Sequence, residues 1–130
     1  MPPSPSKPKA KEPNSYRQQS EIYGRHGETL AAWYLRLKGW RIVAQRVKTP
    51  RGEIDLIARR GRTLAFVEVK WRKNAAELGF AIDAYRLRRV AAAAEAVAHR
   101  WQRDGDDITI DVLLLAPGRW PRHITNAGMN

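Results

Sequence analysis

The sequence predicts an α/β domain in which a mixed sheet is flanked by helices, in the order helix-strand-strand-strand-helix-strand. Two observations support this class. Apolar residues recur with the helical period in some segments and with the strand period in others. Three successive strand patterns are followed by a helix that leads to a fourth strand, which favours an antiparallel meander with one parallel crossover. The length of 130 residues, of which 43% are hydrophobic, suits one domain with its own core.

The first helix is predicted from Glu21 to Lys38, with Gly39 as its stop. Glu28 lies on one side of this helix with Gly24, Ala31 and Leu35. A separate apolar stripe has the spacing i, i+3, i+4 and i+7: Leu30, Trp33, Tyr34 and Leu37. Because the helix is apolar on more than one side, we expect it to be wedged into the fold.

Short turns join the three strands that follow, which are predicted at Trp40 to Val47, Glu53 to Arg59 and Thr63 to Trp71. After a loop at Asn74 to Gly79, a second helix is predicted from Ala81 to Arg103. The fourth strand is predicted from Ile108 to Ala116.

The ends of the chain are expected to lie outside this domain. Residues 1–19 are predicted to form a disordered basic arm, because this proline- and lysine-rich segment has almost nothing to bury. The domain is expected over residues 20–118, and residues 119–130 are expected to form a polar tail.

Composition excludes several functional classes. The absence of cysteine excludes a disulfide scaffold, a cysteine-ligated zinc finger, an iron–sulfur cluster and a cysteine nucleophile. The first residues lack the apolar region of a signal peptide, and no apolar run approaches the roughly 20 residues of a membrane span, so we expect a cytoplasmic protein without a membrane partner. The formal net charge of +11 makes a polyanion, above all nucleic acid, the expected partner.

Charged residues interrupt the predicted second and third strands. Alternation along the third strand places Glu68 and Lys70 side by side on one face, although desolvation usually cancels the attraction of such a buried pair. Alternation along the second strand places Glu53 and Asp55 on one face. The apolar residues of that strand take the opposite face: Ile54 and Leu56.

Antiparallel pairing of these two strands is expected to bring their acids together. Asp55 should oppose roughly Val67, within one residue of Glu68. Two carboxylates, a backbone carbonyl and waters are ligands that Mg²⁺ or Mn²⁺ accepts. Lys70 at the rim of such a pocket can orient or deprotonate a water, or neutralise a phosphate. The alternative is that the acids only pair with an arginine-rich surface.

Two segments resemble the nuclease signature of the PD-(D/E)XK superfamily: Gly52-Glu53-Ile54-Asp55-Leu56-Ile57-Ala58 and Phe66-Val67-Glu68-Val69-Lys70. From about Glu21 to Leu115 the chain resembles one branch of it, the YraN-like family of small bacterial proteins. Further matching positions are Gly27-Glu28, Ala31, Gly39-Trp40, Gly79, Ile82, Arg86, Arg89 and Asp111-Val112. The resemblance implies a restriction-endonuclease-like core with the element order given above.

The resemblance also implies roles for individual residues. Asp55 matches the metal-binding aspartate, and Glu68 matches the second acidic ligand, with the carbonyl of Val69 as a third. Lys70 matches the lysine that acts on the attacking water or the scissile phosphate. Glu28 resembles the first-helix glutamate that completes the acidic site in archaeal Holliday-junction resolvases. Mg²⁺ or Mn²⁺ is then the cofactor and DNA the partner, and a homodimer is expected because related resolvases cut paired strands.

Basic residues load the second helix and the loops that flank the acidic strands, where they can hold a phosphodiester backbone beside the acids. Those expected to contact nucleic acid are Arg51, Arg72, Lys73, Arg86 and Arg89. Glu53 shares a face with Asp55, and it either belongs to the site or only pairs with an arginine.

The pattern therefore predicts a metal-dependent nuclease acting on DNA, including branched or damaged DNA. The intact set of Asp55, Glu68 and Lys70 favours this enzyme over a binding module that keeps the fold and does not cut. A basic RNA- or ribosome-associated protein is a third class, and in that case RNA should compete better than DNA.

Overall fold

A five-stranded sheet is the central element of the computed structural model, which describes residues 27–72 and 84–127. Its elements are α1 (residues 27–37), β1 (Arg41–Thr49), β2 (Gly52–Arg60), β3 (Thr63–Trp71), α2 (Ala84–Val97), β4 (Asp107–Leu115) and β5 (Arg122–Ile124). A 3₁₀ turn, Ala98–Arg100, follows α2. Several predictions lie outside the described residues: the arm over 1–19, the start of the first helix, Lys73, the loop from Asn74 to Gly79, the start of the second helix at Ala81 and residues 128–130 of the tail.

The strand order is β1-β2-β3-β4-β5, and the pairing is mixed as predicted. The first three strands form an antiparallel meander, and β4 pairs parallel to β3 after the segment that contains α2. A parallel neighbour needs such a crossover, whereas antiparallel neighbours can be joined by the short turns seen here. The order and pairing of the strands confirm the predicted α/β class with a mixed sheet.

Each face of the sheet is covered by one helix. The face under α1 contains Ala65 and Val67 of β3, and the face under α2 contains Leu64 and Phe66 of the same strand. This confirms the predicted alternation, since successive side chains of a strand point to opposite faces. Burial on both faces explains why β3 reads as a nearly continuous apolar run.

Three of the four residues of the apolar stripe in α1 face outward, and only Tyr34 packs against the core, so the helix is not wedged into the fold as expected. Leu30, Trp33 and Leu37 are exposed, and the helix packs on the sheet through its other side, with Ala31 and Leu35 buried. The small alanines allow close approach to the sheet, so the helix presents the side that carries Glu28 to β3. Two apolar stripes with the same period cannot be ranked from periodicity alone.

The fifth strand falls within residues that were expected to form a polar tail. It pairs antiparallel with β4 through only three residues. A buried carboxylate fixes it there: Asp111 of β4 accepts hydrogen bonds from His123 Nε2 (2.8 Å) and from the amide of Asn126 (2.9 Å). Because these contacts are tertiary, the local sequence pattern did not predict the strand.

The predicted alternation along β2 breaks at Asp55. Leu56 packs under α1 as expected from β-strand geometry, but Ile54 packs under α2 instead of sharing the face of Leu56. On β1, Arg46 lies across from Asp55 and has a φ of 53°, in the left-handed region that non-glycine residues rarely adopt. The meander is therefore distorted at the position of the candidate metal-binding aspartate, which is where backbone strain often collects.

Within the residues that the structure describes, no helix is long and apolar enough to cross a membrane.

The orientation of α1 predicts that truncation of two leucines of this helix changes the free energy of unfolding by very different amounts. Leu35→Ala should destabilise the protein by about 2–5 kcal/mol, because it opens a cavity in a fully buried site. Leu37→Ala should change the free energy of unfolding by less than about 0.5 kcal/mol, because Leu37 is 77% exposed. Urea denaturation of both variants measures the difference, and equal costs would contradict this orientation.

Candidate active site

The aspartate of β2 is held by the backbone of β3 at the point where the two strands separate. The paired register of these strands ends at Leu56 and Val67. Beyond it, the amide of Val69 donates a 2.8 Å hydrogen bond to Oδ2 of Asp55. The carboxylate of Asp55 thus accepts the hydrogen bond that a backbone carbonyl of β2 would accept if the ladder continued. The register differs by one residue from the predicted one and places Asp55 across from Glu68.

The surroundings of Asp55 disfavour its charge. Burial, together with repulsion from the nearby carboxylates of Glu28, Glu68 and Glu53, raises the pKa of Asp55 to about 7. The hydrogen bond from Val69 acts in the opposite direction and is outweighed. Four acids from three elements therefore lie close enough to interact, and the ionised form of Asp55 is the one that is disfavoured.

The end of β3 supplies the second acid and a buried ammonium. Lys70 Nζ lies 3.7 Å from Oε1 of Glu68, and both side chains are largely withdrawn from solvent. Arg86 of α2 approaches the same oxygen at 3.8 Å, while its own side chain is more than half exposed. Glu68 is thus placed between a buried cation and a solvent-facing one. Lys70 lies deeper than the pocket rim where the sequence analysis expected it.

A cavity of about 150 Å³ opens between the start of β2, the end of β3 and the first turns of α2. We call it the acidic pocket; its lining is Gly52, Glu53, Glu68, Arg86, Arg89 and Val90. Glu53, whose role the sequence left open, therefore faces the same space as Glu68. Two acids and two arginines at one opening form a site that can bind a cation and an anion together.

Glu28 of α1 reaches the same region from the opposite face of the sheet. It is close enough to raise the pKa of Asp55, but its carboxylate is bound by Arg46 Nε at 2.6 Å. The hydrogen bond and the charge of Glu28 raise the pKa of the Arg46 guanidinium. The helix–strand contact that positions Glu28 is thus an ion pair, in which Arg46 is the residue with the left-handed backbone.

The basic residues predicted to bind nucleic acid divide into three groups. Arg86 and Arg89 line the acidic pocket. Arg51 is exposed on the β1–β2 turn, beside the pocket residue Gly52, and Arg72 is half-buried after β3, where its Nη1 donates to the carbonyl of Trp71. Lys73 lies outside the described residues.

The oxygen donors at this site fit a small divalent cation. Asp55 and Glu68 offer carboxylates, and the carbonyl of Val69 points toward β2 because the amide of the same residue does. Burial is the main cause of the raised pKa of Asp55, and the carboxylates of Glu28, Glu68 and Glu53 add a repulsion that a cation would relieve. Within residues 27–72 and 84–127, no group of three or more His, Cys, Asp or Glu side chains is placed to hold a metal ion.

Arg46 was missed as a site residue by the sequence analysis, which only counted it among the flanking bases. Its contact with Glu28 joins residues 18 positions apart, and its positive φ cannot be inferred from the residue type. The sequence offered only an indirect signal, which was an arginine in the strand expected to pair with the acidic second strand.

Comparison with known proteins supports one family. The sequence profile of the family described as "Uncharacterised protein family UPF0102" matches residues 27–115. A UPF0102 protein of Erythrobacter litoralis is 68% identical over 111 residues, which cover 85% of this chain and 96% of the relative. A UPF0102 protein of Parvibaculum lavamentivorans is 49% identical over 105 residues, covering 80% and 79%.

A solved structure shares the fold. It is Hjc, a Holliday junction resolvase from the archaeal hyperthermophile Archaeoglobus fulgidus, with a TM-score of 0.52. The match covers 75% of this chain and 71% of Hjc at 21% sequence identity, so the similarity concerns the fold.

The raised pKa of Asp55 predicts that this residue destabilises the metal-free protein at neutral pH. Between about pH 4 and 7 the folded protein keeps a proton that the unfolded chain releases, so the contribution of Asp55 to stability falls as the pH rises. Asp55→Asn removes this penalty and should be more stable than wild type at about pH 8, by on the order of a few kcal/mol. The difference should shrink toward pH 4.

Urea denaturation in the presence of a chelator, at both pH values, measures this effect. Glu95→Gln, at an exposed position of α2, is the control for loss of one carboxylate. An Asp55→Asn variant that is less stable than wild type by the same amount at both pH values would contradict the assignment.

Proposed function

The chain belongs to the UPF0102 family, the YraN-like family that its motifs indicate, and on that premise we propose that it is a divalent-metal-dependent nuclease that hydrolyses phosphodiester bonds in DNA. One observation carries the proposal: the Val69 amide fixes Asp55 close to Glu68, which contacts Lys70 and lines an arginine-containing pocket. The fold shared with a Holliday junction resolvase supports it and makes branched DNA the first substrate class to test.

Three donors of this chain would hold the Mg²⁺ or Mn²⁺ ion: the carboxylates of Asp55 and Glu68 and the carbonyl of Val69. Such an ion polarises a phosphoryl oxygen and lowers the pKa of a bound water. Asp55 can bind it as a rigid ligand, because the Val69 amide already fixes the carboxylate. Proton release from Asp55 near pH 7 should accompany ion binding.

In this proposal Lys70 and Arg86 have different roles toward the anionic substrate. Lys70 is buried, and its ammonium is 3.7 Å from Glu68, so it is positioned to orient the attacking water or to neutralise charge on the scissile phosphate. Arg86 and Arg89 face the opening of the pocket, where they would hold the DNA backbone against the acids. Glu28 would act through Arg46 and through its repulsion of Asp55, as a positioning residue.

A specific observation also favours a second function, a module that binds nucleic acid without cutting it. Glu68 and Glu28 already face cations of the protein itself, Lys70 with Arg86 and Arg46 respectively. In such a module these ion pairs would stabilise the pocket, and no divalent ion would be needed. Incubation of a four-way junction, a linear duplex and a single strand with Mn²⁺ or Mg²⁺ distinguishes the two functions on one gel.

Neutral replacement of the acids should abolish cleavage and leave the fold intact. Asp55→Asn and Glu68→Gln keep the side-chain volume but remove a negative charge that the cation requires. Lys70→Ala should keep cation binding and slow cleavage on the order of 10²-fold or more. Calorimetric titration with Mn²⁺ and a cleavage assay on the same preparations measure the two effects.

Lys38→Ala, at an exposed lysine after α1, is the matched control and should cleave like wild type. Cleavage that survives Glu68→Gln would show that the site is assigned wrongly. A wild-type protein that neither binds Mn²⁺ nor cuts any of the DNAs would leave the binding module as the function.

Binding of DNA should depend steeply on salt, because a chain of net charge +11 would bind through phosphate contacts. Log affinity should fall by about 0.9 per unit of log salt for each phosphate neutralised. Arg86→Glu with Arg89→Glu should weaken binding to all sequences alike. Fluorescence anisotropy over a salt series, with RNA as competitor, measures this; salt-independent affinity, or tighter binding of RNA, would exclude DNA as the partner.

The homodimer, the cytoplasmic location and the domain limits at residues 20 and 118 stay predictions. Sedimentation of the full chain with and without a DNA junction tests the first of them.

A further inference from the structure

A second, larger cavity lies at the other end of α2. Its volume is about 530 Å³, and we call it the distal cleft. It is bounded by the start of β1, the end of β2 and the segment after the 3₁₀ turn. Its lining is Arg41, Ile42, Val43, Arg59, Arg100, Trp101, Gln102 and Arg103.

A buried ion pair builds the floor of the distal cleft. Arg59 donates to both carboxylate oxygens of Asp106, at 2.9 and 2.8 Å, and also to the carbonyl of Trp101 at 2.8 Å. The amide of Arg103 donates to the same carboxylate at 2.7 Å. These bonds lower the pKa of Asp106 to about 2 and fix the segment from Trp101 to Asp106 onto the sheet. The wall of the cleft that contains Arg103 and adjoins Arg100 is therefore held in place.

The charge of the distal cleft is strongly positive. Four arginines line it, and no acid is among its lining residues. Asp106 neutralises Arg59, and it also interacts with Arg103. Arg41 and Arg100 are exposed and make no ion pair within the described part of the chain. Guanidinium groups around an open cavity favour a phosphate ligand, which they can bind with paired hydrogen bonds.

Geometry relates this cleft to the acidic pocket. Both are bounded by the same strand, since Gly52 lines one and Arg59 the other. The seven residue steps between them span about 23 Å at the usual strand rise. From Arg86 to Arg100, the helix and its 3₁₀ turn give a similar length of about 21 Å. The edge strand β1 runs alongside and exposes Arg46 and Lys48 between the two cavities.

We propose that the distal cleft binds a backbone phosphate of the same nucleic acid that enters the acidic pocket. The inference rests on the proposed function, which it extends from a cleavage site to a substrate of defined length. Duplex DNA rises about 3.4 Å per base pair. The second contact therefore lies about seven base pairs from the scissile phosphate, along β1, and requires a duplex arm at least that long.

The test compares long and short duplexes without metal, so that no cleavage occurs. Arg100→Gln with Arg103→Gln removes two guanidiniums and leaves the Arg59–Asp106 pair in place. On a duplex of about 20 base pairs, this variant should bind about tenfold more weakly than wild type and lose about two units of the log–log salt slope. On a duplex of about 5 base pairs, both proteins should bind alike.

Two further variants complete the design. Arg36→Gln with Arg119→Gln makes the same charge change at exposed sites outside the cleft, and it should keep the wild-type length dependence. Arg41→Gln removes a guanidinium on the opposite wall, so it repeats the test should the double variant fail to fold.

The outcomes separate this inference from the proposed function. Equal affinity and salt slope for wild type and the cleft variants on the long duplex would overturn it, whether or not the enzyme cuts. Inorganic pyrophosphate that binds wild type and not the cleft variants, with DNA binding unchanged, would also overturn it and assign the cleft to a free phosphate compound. Length-dependent binding in a protein that never cleaves DNA would support the cleft and reject the nuclease.

Discussion

The hydrogen bond from the Val69 amide to the Asp55 carboxylate is the contact on which the candidate site depends. It replaces a backbone bond at the end of the β2–β3 ladder, so the two strands separate where the acids lie. The carboxylate is thereby fixed in a buried position that raises its pKa to about 7. The strand that supplies the amide also places Glu68 and Lys70, one residue to each side of Val69. A fixed acid, a second acid and a buried ammonium are thereby brought close together.

Charge balance explains how a chain of net charge +11 can keep this acidic cluster. Glu28 is bound by Arg46, and Glu68 lies near Lys70 and Arg86, whereas Asp55 faces repulsion from its acidic neighbours. The unbalanced acid is therefore the one that a divalent ion would relieve. At the other end of α2 the excess has the opposite sign, since arginines there outnumber acids. An acidic centre within a basic surface suits a polyanion that is bound through several of its phosphates and attacked at one of them.

Much of the fold was predictable because its signals are local. The period-2 pattern of β3 fixed which residues face which helix, and it placed Glu68 and Lys70 together. The expectation that α1 is buried on more than one side was wrong, because packing against the sheet buries the Leu35 side and leaves Leu30, Trp33 and Leu37 exposed. The distortion at Asp55 was also hidden, since it coincides with the positive φ of Arg46 and a contact between distant residues. The proximity of Asp55, Glu68 and Lys70 was thus predictable from strand alternation and pairing, whereas the contacts of Glu28 with Arg46 and of Glu68 with Arg86 arise only from tertiary structure.

Diffraction from crystals soaked in Mn²⁺ above pH 7, where Asp55 is ionised, tests the central claim most directly. The account predicts an anomalous peak bonded to the carboxylates of Asp55 and Glu68 and to the carbonyl oxygen of Val69. Density should also show Glu68 turned from Lys70 toward the ion. A peak at other residues, or none at this site while both carboxylates keep their present partners, would contradict it.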